Sequence, residues 1–143
     1  MNETKPKTKK LNYTHIKLYK SARLLLKTAT ELSAIFPREH RYTIGQDLHK
    51  NIIEFMVMLY EAYNTPNFKL QAERILKLRK QLERVNIYIR LCCDIHLISK
   101  ERYMEFSKYT SEMEQQSRGW YLSCNKKASV KEINNQKAQN VSA

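Results

Sequence analysis

Ile75, Leu78, Leu82, Val85, Ile89 and Cys92 fall three and four residues apart, and that spacing constrains the chain more than any other feature in it. Apolar side chains at this interval gather on one side of an α-helix, so the run from Leu70 to Leu91 is expected to lie lengthwise against other helices. The other sides of the same helix are cationic. Lys77, Lys80 and Arg84 form one line, continued by Tyr88, while Arg79 and Arg90 lie on an adjoining line with Glu83 and Asn86. Across the segment Arg74, Lys77, Arg79, Lys80, Arg84 and Arg90 are set against only Glu73 and Glu83. A solvated face usually mixes signs, and an excess of one sign repels itself until a counter-charge meets it.

Three further segments carry the same period. From Leu11 onward, Leu18, Ala22, Leu25, Ala29, Leu32 and Phe36 repeat three and four apart, with Lys17, Lys20, Arg23 and Lys27 on other faces. Pro37 ends this helix because it lacks an amide proton and restricts the residue before it. The residues from Pro37 to Tyr42 read as a basic connection, in which Arg38 and Arg41 meet a phosphate, an acidic partner or solvent. Thr43, Ile44, Gly45 and Gln46 have the form of a capping box opening a second helix. Its main stripe is Ile44, Leu48, Ile52, Phe55, Leu59 and Ala62, and Ile53, Met56, Tyr60 and Tyr63 make a second stripe beside it. Two stripes imply either a broad core contact or a subunit interface, the interface being favoured. Asp47, Glu54 and Glu61 make this the one acidic helix and a neighbour for basic ones. A turn at residues 64–67 precedes the basic helix, and Ser99 is the expected N-cap of a last helix with Glu101 in its first turn. There Tyr103, Phe106, Thr110, Met113, Ser117 and Trp120 repeat, and Trp120 is read as a core or interface anchor.

Four amphipathic helices with short links predict an all-α, up-down-up-down four-helix bundle over residues 11–123. At 143 residues the chain fits one domain with a real core. Residues 1–10, with four lysines, read as a flexible basic arm, and 124–143 as a polar, basic, disordered tail. A formal charge of +12 points to nucleic acid, an anionic membrane or an acidic protein as partner. No apolar run reaches membrane-spanning length and no secretory signal opens the chain, so no membrane and a cytoplasmic location are expected. Three cysteines without C-x-x-C spacing, four histidines without an H-E-x-x-H pair and two glycines, Gly45 and Gly119, leave no expected disulfide framework, metal site, cofactor or phosphate loop. Glu112 and Glu114, the best carboxylate pair, point to different helix faces, so no catalytic residues and no enzyme activity are expected.

The order and spacing of several short patterns resemble one known family. They are Phe36-Pro37-Arg38, Thr43-Ile44-Gly45-Gln46, the run from Leu78 and Leu82 to Tyr88-Ile89-Arg90-Leu91, then Leu97-Ile98-Ser99 with Tyr103, and Arg118-Gly119-Trp120. From about Leu11 to Leu122 the chain resembles the four-helix-bundle family of accessory variability determinant proteins of diversity-generating retroelements, which also includes bundle proteins encoded in intervening sequences of ribosomal RNA genes. The resemblance implies a non-catalytic accessory protein, a basic homopentameric barrel that binds DNA or RNA and a reverse transcriptase in mutagenic reverse transcription and retrohoming. It carries the family's basic third helix onto Arg74, Lys77, Arg79, Lys80, Arg84 and Arg90, and its Gly-Trp onto Gly119 and Trp120. Tyr60, Tyr63 and Trp120 are the expected core or oligomer anchors. The alternative is a scaffold of the intervening-sequence type that binds RNA or an acidic protein. Without a base-reading motif, contacts to nucleic acid are expected to be mostly to phosphate, with weak sequence preference.

Overall fold

A computed structural model describes Tyr13 and residues 16–141, so the expected basic arm at 1–10 lies outside the described residues. Four long helices carry the chain: α1 (Lys17–Ile35), α2 (Gln46–Tyr63), α3 (Phe68–Asp94) and α4 (Lys100–Val141). They form a ring in which α1 touches α2 and α4, and α3 touches α2 and α4. Neighbours run antiparallel. Asn51 meets Gln81 and Ala62 meets Gln71, while the start of α1 lies near Gln116 and Trp120 and its end near Ile98 and Phe106.

The helical period decides the core. Leu18, Ala22, Leu25, Ala29, Leu32 and Phe36 are buried, as are Leu48, Ile52, Phe55, Leu59 and Ala62. The whole α3 seam from Ile75 to Cys92 is buried with them, and so are Phe106, Thr110, Met113 and Ser117 of α4. Ile44, Tyr103 and Trp120 are half-buried at the margin. Two polar groups add register to this greasy packing. The Gln81 Nε2 donates to the Asn51 carbonyl at 2.9 Å and to Asn51 Oδ1 at 3.0 Å. Gln71 donates to the Ala62 carbonyl at 3.0 Å and accepts from the Cys124 thiol at 3.1 Å. Sliding either helix would strand a buried amide, which costs about 1–3 kcal/mol.

The helix ends follow local chemistry with one correction. Phe36 is extended and Pro37 follows it, as expected, and Ser99 Oγ accepts from the Arg102 amide at 3.2 Å. Asn67 caps α3 by accepting from the Leu70 amide at 3.0 Å. Thr43, however, caps nothing. A helical turn (Arg38–His40) and a π-helical stretch (Arg41–Gly45) run straight into α2, and the Thr43 hydroxyl donates back to the Glu39 carbonyl at 2.9 Å. Helix therefore resumes directly after Pro37, whose fixed φ of −51° suits the entry to a helix. The wider π turn brings Gly45 against the first helix's end: a Cβ there would stand 3.2 Å from Phe36 and 3.3 Å from the His40 carbonyl.

The sequence also reads 124–143 as a tail, whereas α4 continues unbroken for 42 residues to Val141. Apolar period governs burial, and here it is nearly absent: residues 129–141 are exposed. Helicity needs less. The bundle has already nucleated the helix, no Gly or Pro interrupts it after Trp120, and each added residue gains a backbone bond. Lys127 over the Phe68 ring at 5.5 Å and Lys69 with Glu132 at 4.0 Å tie its first turns beyond Cys124 to α3.

The α3–α4 turn places His96 at φ 62°, with the Leu97 amide donating to the Cys92 carbonyl at 2.9 Å and the His96 amide to Cys93 at 3.1 Å. This is a Schellman closure with a side chain where glycine sits more easily. Gly119, by contrast, sits mid-helix, and a Cβ on it would have nothing within 4 Å. His96→Gly and Gly119→Ala are each expected to raise unfolding stability in urea by about 0.5–1 kcal/mol. A loss in either variant would contradict these local assignments.

Burial pushes the Cys92 thiol from its ordinary 9.0 up to about 11, with the neighbouring Cys93 adding to the shift. The folded chain thus holds this proton more tightly than the unfolded chain. The contribution is complete below pH 9 and is lost as pH rises toward 11. Urea midpoints of the parent should fall more steeply across that window than those of Cys92→Ala, and parallel curves would refute the assignment.

Candidate nucleic-acid interface

The six cations expected to contact nucleic acid divide into two groups once the helices are packed. Lys77, Lys80 and Arg84 are exposed on the outward side of α3, and none makes an ion pair within 4.0 Å among the described residues. Arg74 and Arg90 are engaged, and Arg79 is partly covered. Arg74 donates to the Thr65 hydroxyl, which itself donates to the Glu61 carbonyl at 2.7 Å, so this side chain braces the α2–α3 turn. Arg90 donates from Nε to Asp94 Oδ1 at 3.3 Å and stands 5.9 Å from the Tyr103 ring centre. Tyr103 first and Asp94 second push its pKa up, keeping it charged. Arg79 is half-buried where α3 faces α4, and its Nε is buried without an acceptor.

The free row also has a different continuation from the expected one. Tyr88 leans inward and packs on the core. In its place Ile87 and Leu91, 58% and 42% exposed, prolong the 77–80–84 row at the same spacing, and Leu76 flanks it. Half the outward stripe of α3 is cationic and half is apolar.

Two further charged rows frame it. Asp47, Asn51, Glu54, Met58 and Glu61 share one line of α2, and Asn51 touches Gln81, so the acidic line borders α3. None of its carboxylates pairs within 4.0 Å with a cation among the described residues. Lys20, Arg23 and Lys27 form an exposed basic row on α1, diagonally across the bundle. The expected site leaves these three residues out, although their three-and-four spacing is visible in the sequence. Arg41 stays exposed but is tied down: its guanidinium donates to the Ala34 carbonyl at 2.9 Å and the Phe36 carbonyl at 3.3 Å, closing the end of α1.

No family model matches the chain, and no curated protein is significantly similar to it.

Tyr60, Tyr63 and Trp120 gather near the start of α1. Tyr63 and Trp120 meet at 6.4 Å between ring centres, and Tyr60 packs edge-on against Tyr13 at 5.0 Å while staying 50% exposed. The second stripe of α2 splits accordingly. Met56 and Tyr63 are half-buried, whereas Ile53 and Tyr60, with Val57 between them, remain exposed. Among the described residues no group of three or more His, Cys, Asp or Glu side chains is placed to hold a metal ion, and no helix is long and apolar enough to cross a membrane.

Proposed function

We propose that this protein is a non-catalytic, basic helical scaffold that assembles with copies of itself and binds DNA or RNA along α3, in support of a reverse transcriptase of a diversity-generating retroelement. The observation that carries the binding reading is the exposed row Lys77, Lys80 and Arg84, three cations without a carboxylate within 4.0 Å among the described residues. Such a row attracts phosphate by releasing condensed counterions and reads little sequence. The retroelement context rests on the resemblance alone. The exposed Ile53, Val57 and Tyr60 of α2 support self-assembly, since an apolar stripe beside a complete core has a further surface to meet.

A second reading has its own support. Ile87 and Leu91 prolong the cationic row, and a stripe half basic and half apolar suits an acidic protein as well as a phosphate backbone. Light scattering coupled to a salt titration of fluorescent DNA and RNA tests both. The proposed scaffold gives a mass near five times the 17.1 kDa chain and an affinity that falls linearly in log salt. A monomer refutes the barrel, and a salt-insensitive or absent complex moves the basic face to a protein partner. A reverse-transcriptase gene beside two near-identical repeats that differ at adenines would separate the retroelement reading from the intervening-sequence one.

A further inference from the structure

Between α3 and α4 lies a cleft of about 230 Å³, lined by Leu76, Arg79, Lys80, Leu82, Glu83, Asn86 and Glu114. It adjoins the free cationic row, because Lys80 belongs to both. Its size admits one planar ring system and falls short of the roughly 300–1,000 Å³ common for drug-sized ligands. Leu76 and the buried Leu82 supply apolar wall. The charged lining is balanced, with Arg79 and Lys80 against Glu83 and Glu114, so a bare phosphate would meet two carboxylates along with its two cations. One group in the lining is incomplete: the buried Arg79 Nε has no acceptor, and Arg79 makes no ion pair within 4.0 Å among the described residues. No hydrogen bond or ion pair engages Arg79 among the described residues, so its guanidinium has donors to offer an acceptor in the cleft.

A ligand for this cleft must therefore be planar and near neutral, must bring an acceptor to Arg79, and must bring donors to a carboxylate on the facing wall. Unpaired bases have this character, since single strands are read by splaying bases onto apolar and guanidinium surfaces and hydrogen-bonding their edges. Among them guanine offers two neighbouring donors, N1–H and N2–H, to one carboxylate, with the O6 acceptor beside them. Adenine and cytosine offer one amino group, and uracil one imino proton. Glu83 shares a helix with Arg79 and lies one turn away, whereas Glu114 comes from α4 across the cleft.

We propose that the α3–α4 cleft receives one unpaired guanine of a single strand whose phosphates lie along Lys77, Lys80 and Arg84, with Glu114 accepting from N1–H and N2–H and Arg79 donating to O6. This inference rests on the nucleic-acid reading above and adds a base preference to it. The strand's phosphates supply most of the affinity, and the cleft supplies the choice of base.

The test uses the full chain and short oligouridine and oligothymidine strands carrying one central guanine, inosine or adenine. Inosine keeps O6 and N1–H and lacks only the 2-amino group. Guanine strands should bind on the order of tenfold tighter than inosine strands, the scale of one good bidentate base contact. Glu114→Gln should bring that ratio close to one. Lys77→Glu with Arg84→Glu should weaken every strand and keep the ratio. Equal binding of the three strands, or a guanine preference that survives Glu114→Gln, overturns the proposal while leaving phosphate binding intact. If no strand binds, the function reading falls, and millimolar guanosine monophosphate against inosine monophosphate still decides the cleft. A guanine-specific shift of the Arg79 Nε–H NMR signal upholds the site, and its absence rejects it.

Discussion

Reversing Lys77 and Arg84 to glutamate together is expected to weaken binding to DNA and RNA alike and to lower the slope of log affinity against log salt by about 1.4–1.8 for each bound chain. The size of the effect follows from counterion release. Each lost phosphate contact removes roughly 0.7–0.9 from the slope, and each added carboxylate repels the strand as well. Between 50 and 200 mM salt a complex with 6–10 contacts loses about 10³–10⁵ in affinity, so removing two contacts per chain is measurable even if copies of α3 add together. Both side chains are exposed and free of ion pairs within 4.0 Å among the described residues, while the seam at Ile75, Leu78, Leu82, Val85 and Ile89 is buried on the other side. Helicity and mass should be preserved. The packed structure sharpens the choice of control. Arg74→Glu and Arg90→Glu would damage the Thr65 brace and the Asp94 and Tyr103 contacts, so their phenotypes mix binding with local structure. A folded double variant with unchanged affinity and slope would transfer the basic face to a protein partner.

Phe55→Ala is expected to destabilise the bundle by about 3–5 kcal/mol, the cost of removing a large aromatic ring from a site that cannot collapse around the gap. Phe55 is 0% exposed at the middle of α2 and shares the main cluster with Phe106, Leu25, Leu59 and Leu82. Domains of this size commonly have only 5–15 kcal/mol to lose, so the midpoint temperature should drop by roughly 10–15 °C. Tyr60→Ala on the same helix is the matching contrast. Its ring is half-exposed and outside the core cluster, so its loss should cost the isolated bundle far less. If Tyr60→Ala lowers the assembled mass while barely moving monomer stability, the outer stripe of α2 is a contact between copies. If Phe55→Ala unfolds no more easily than Tyr60→Ala, the assignment of inner and outer stripes is wrong.

Neighbouring residues carried much of this fold in plain view. The stripes of α1, α2, α3 and α4, the stop at Phe36 and Pro37, and the Ser99 cap depend on residues within about four positions of each other, and local spacing reports them directly. The Thr43 box shows where such reading goes astray: the same hydroxyl that would cap a helix start donates to Glu39 once the chain is helical from Arg38 onward. Whether a helix begins there depends on how Phe36 packs against Gly45, a contact between elements.

The amino-acid sequence by itself determined an all-helical chain with four core stripes and an excess of positive charge on the third. Only the tertiary structure decided which of those charges stay free. Spacing on one helix separates the line of Lys77, Lys80 and Arg84 from that of Arg79 and Arg90, but it does not say which cations meet a partner. What separates them is the turn at Thr65, the flank of α4 and the ring of Tyr103, each brought alongside by packing. The same holds for Gln71 and Gln81, whose polar side chains are buried because facing helices supply their partners, and for the 125–141 stretch, which is helical because the bundle in front of it has already formed the nucleus. A side chain's chemistry is local, but its partner is chosen by whichever element lies next to it in space.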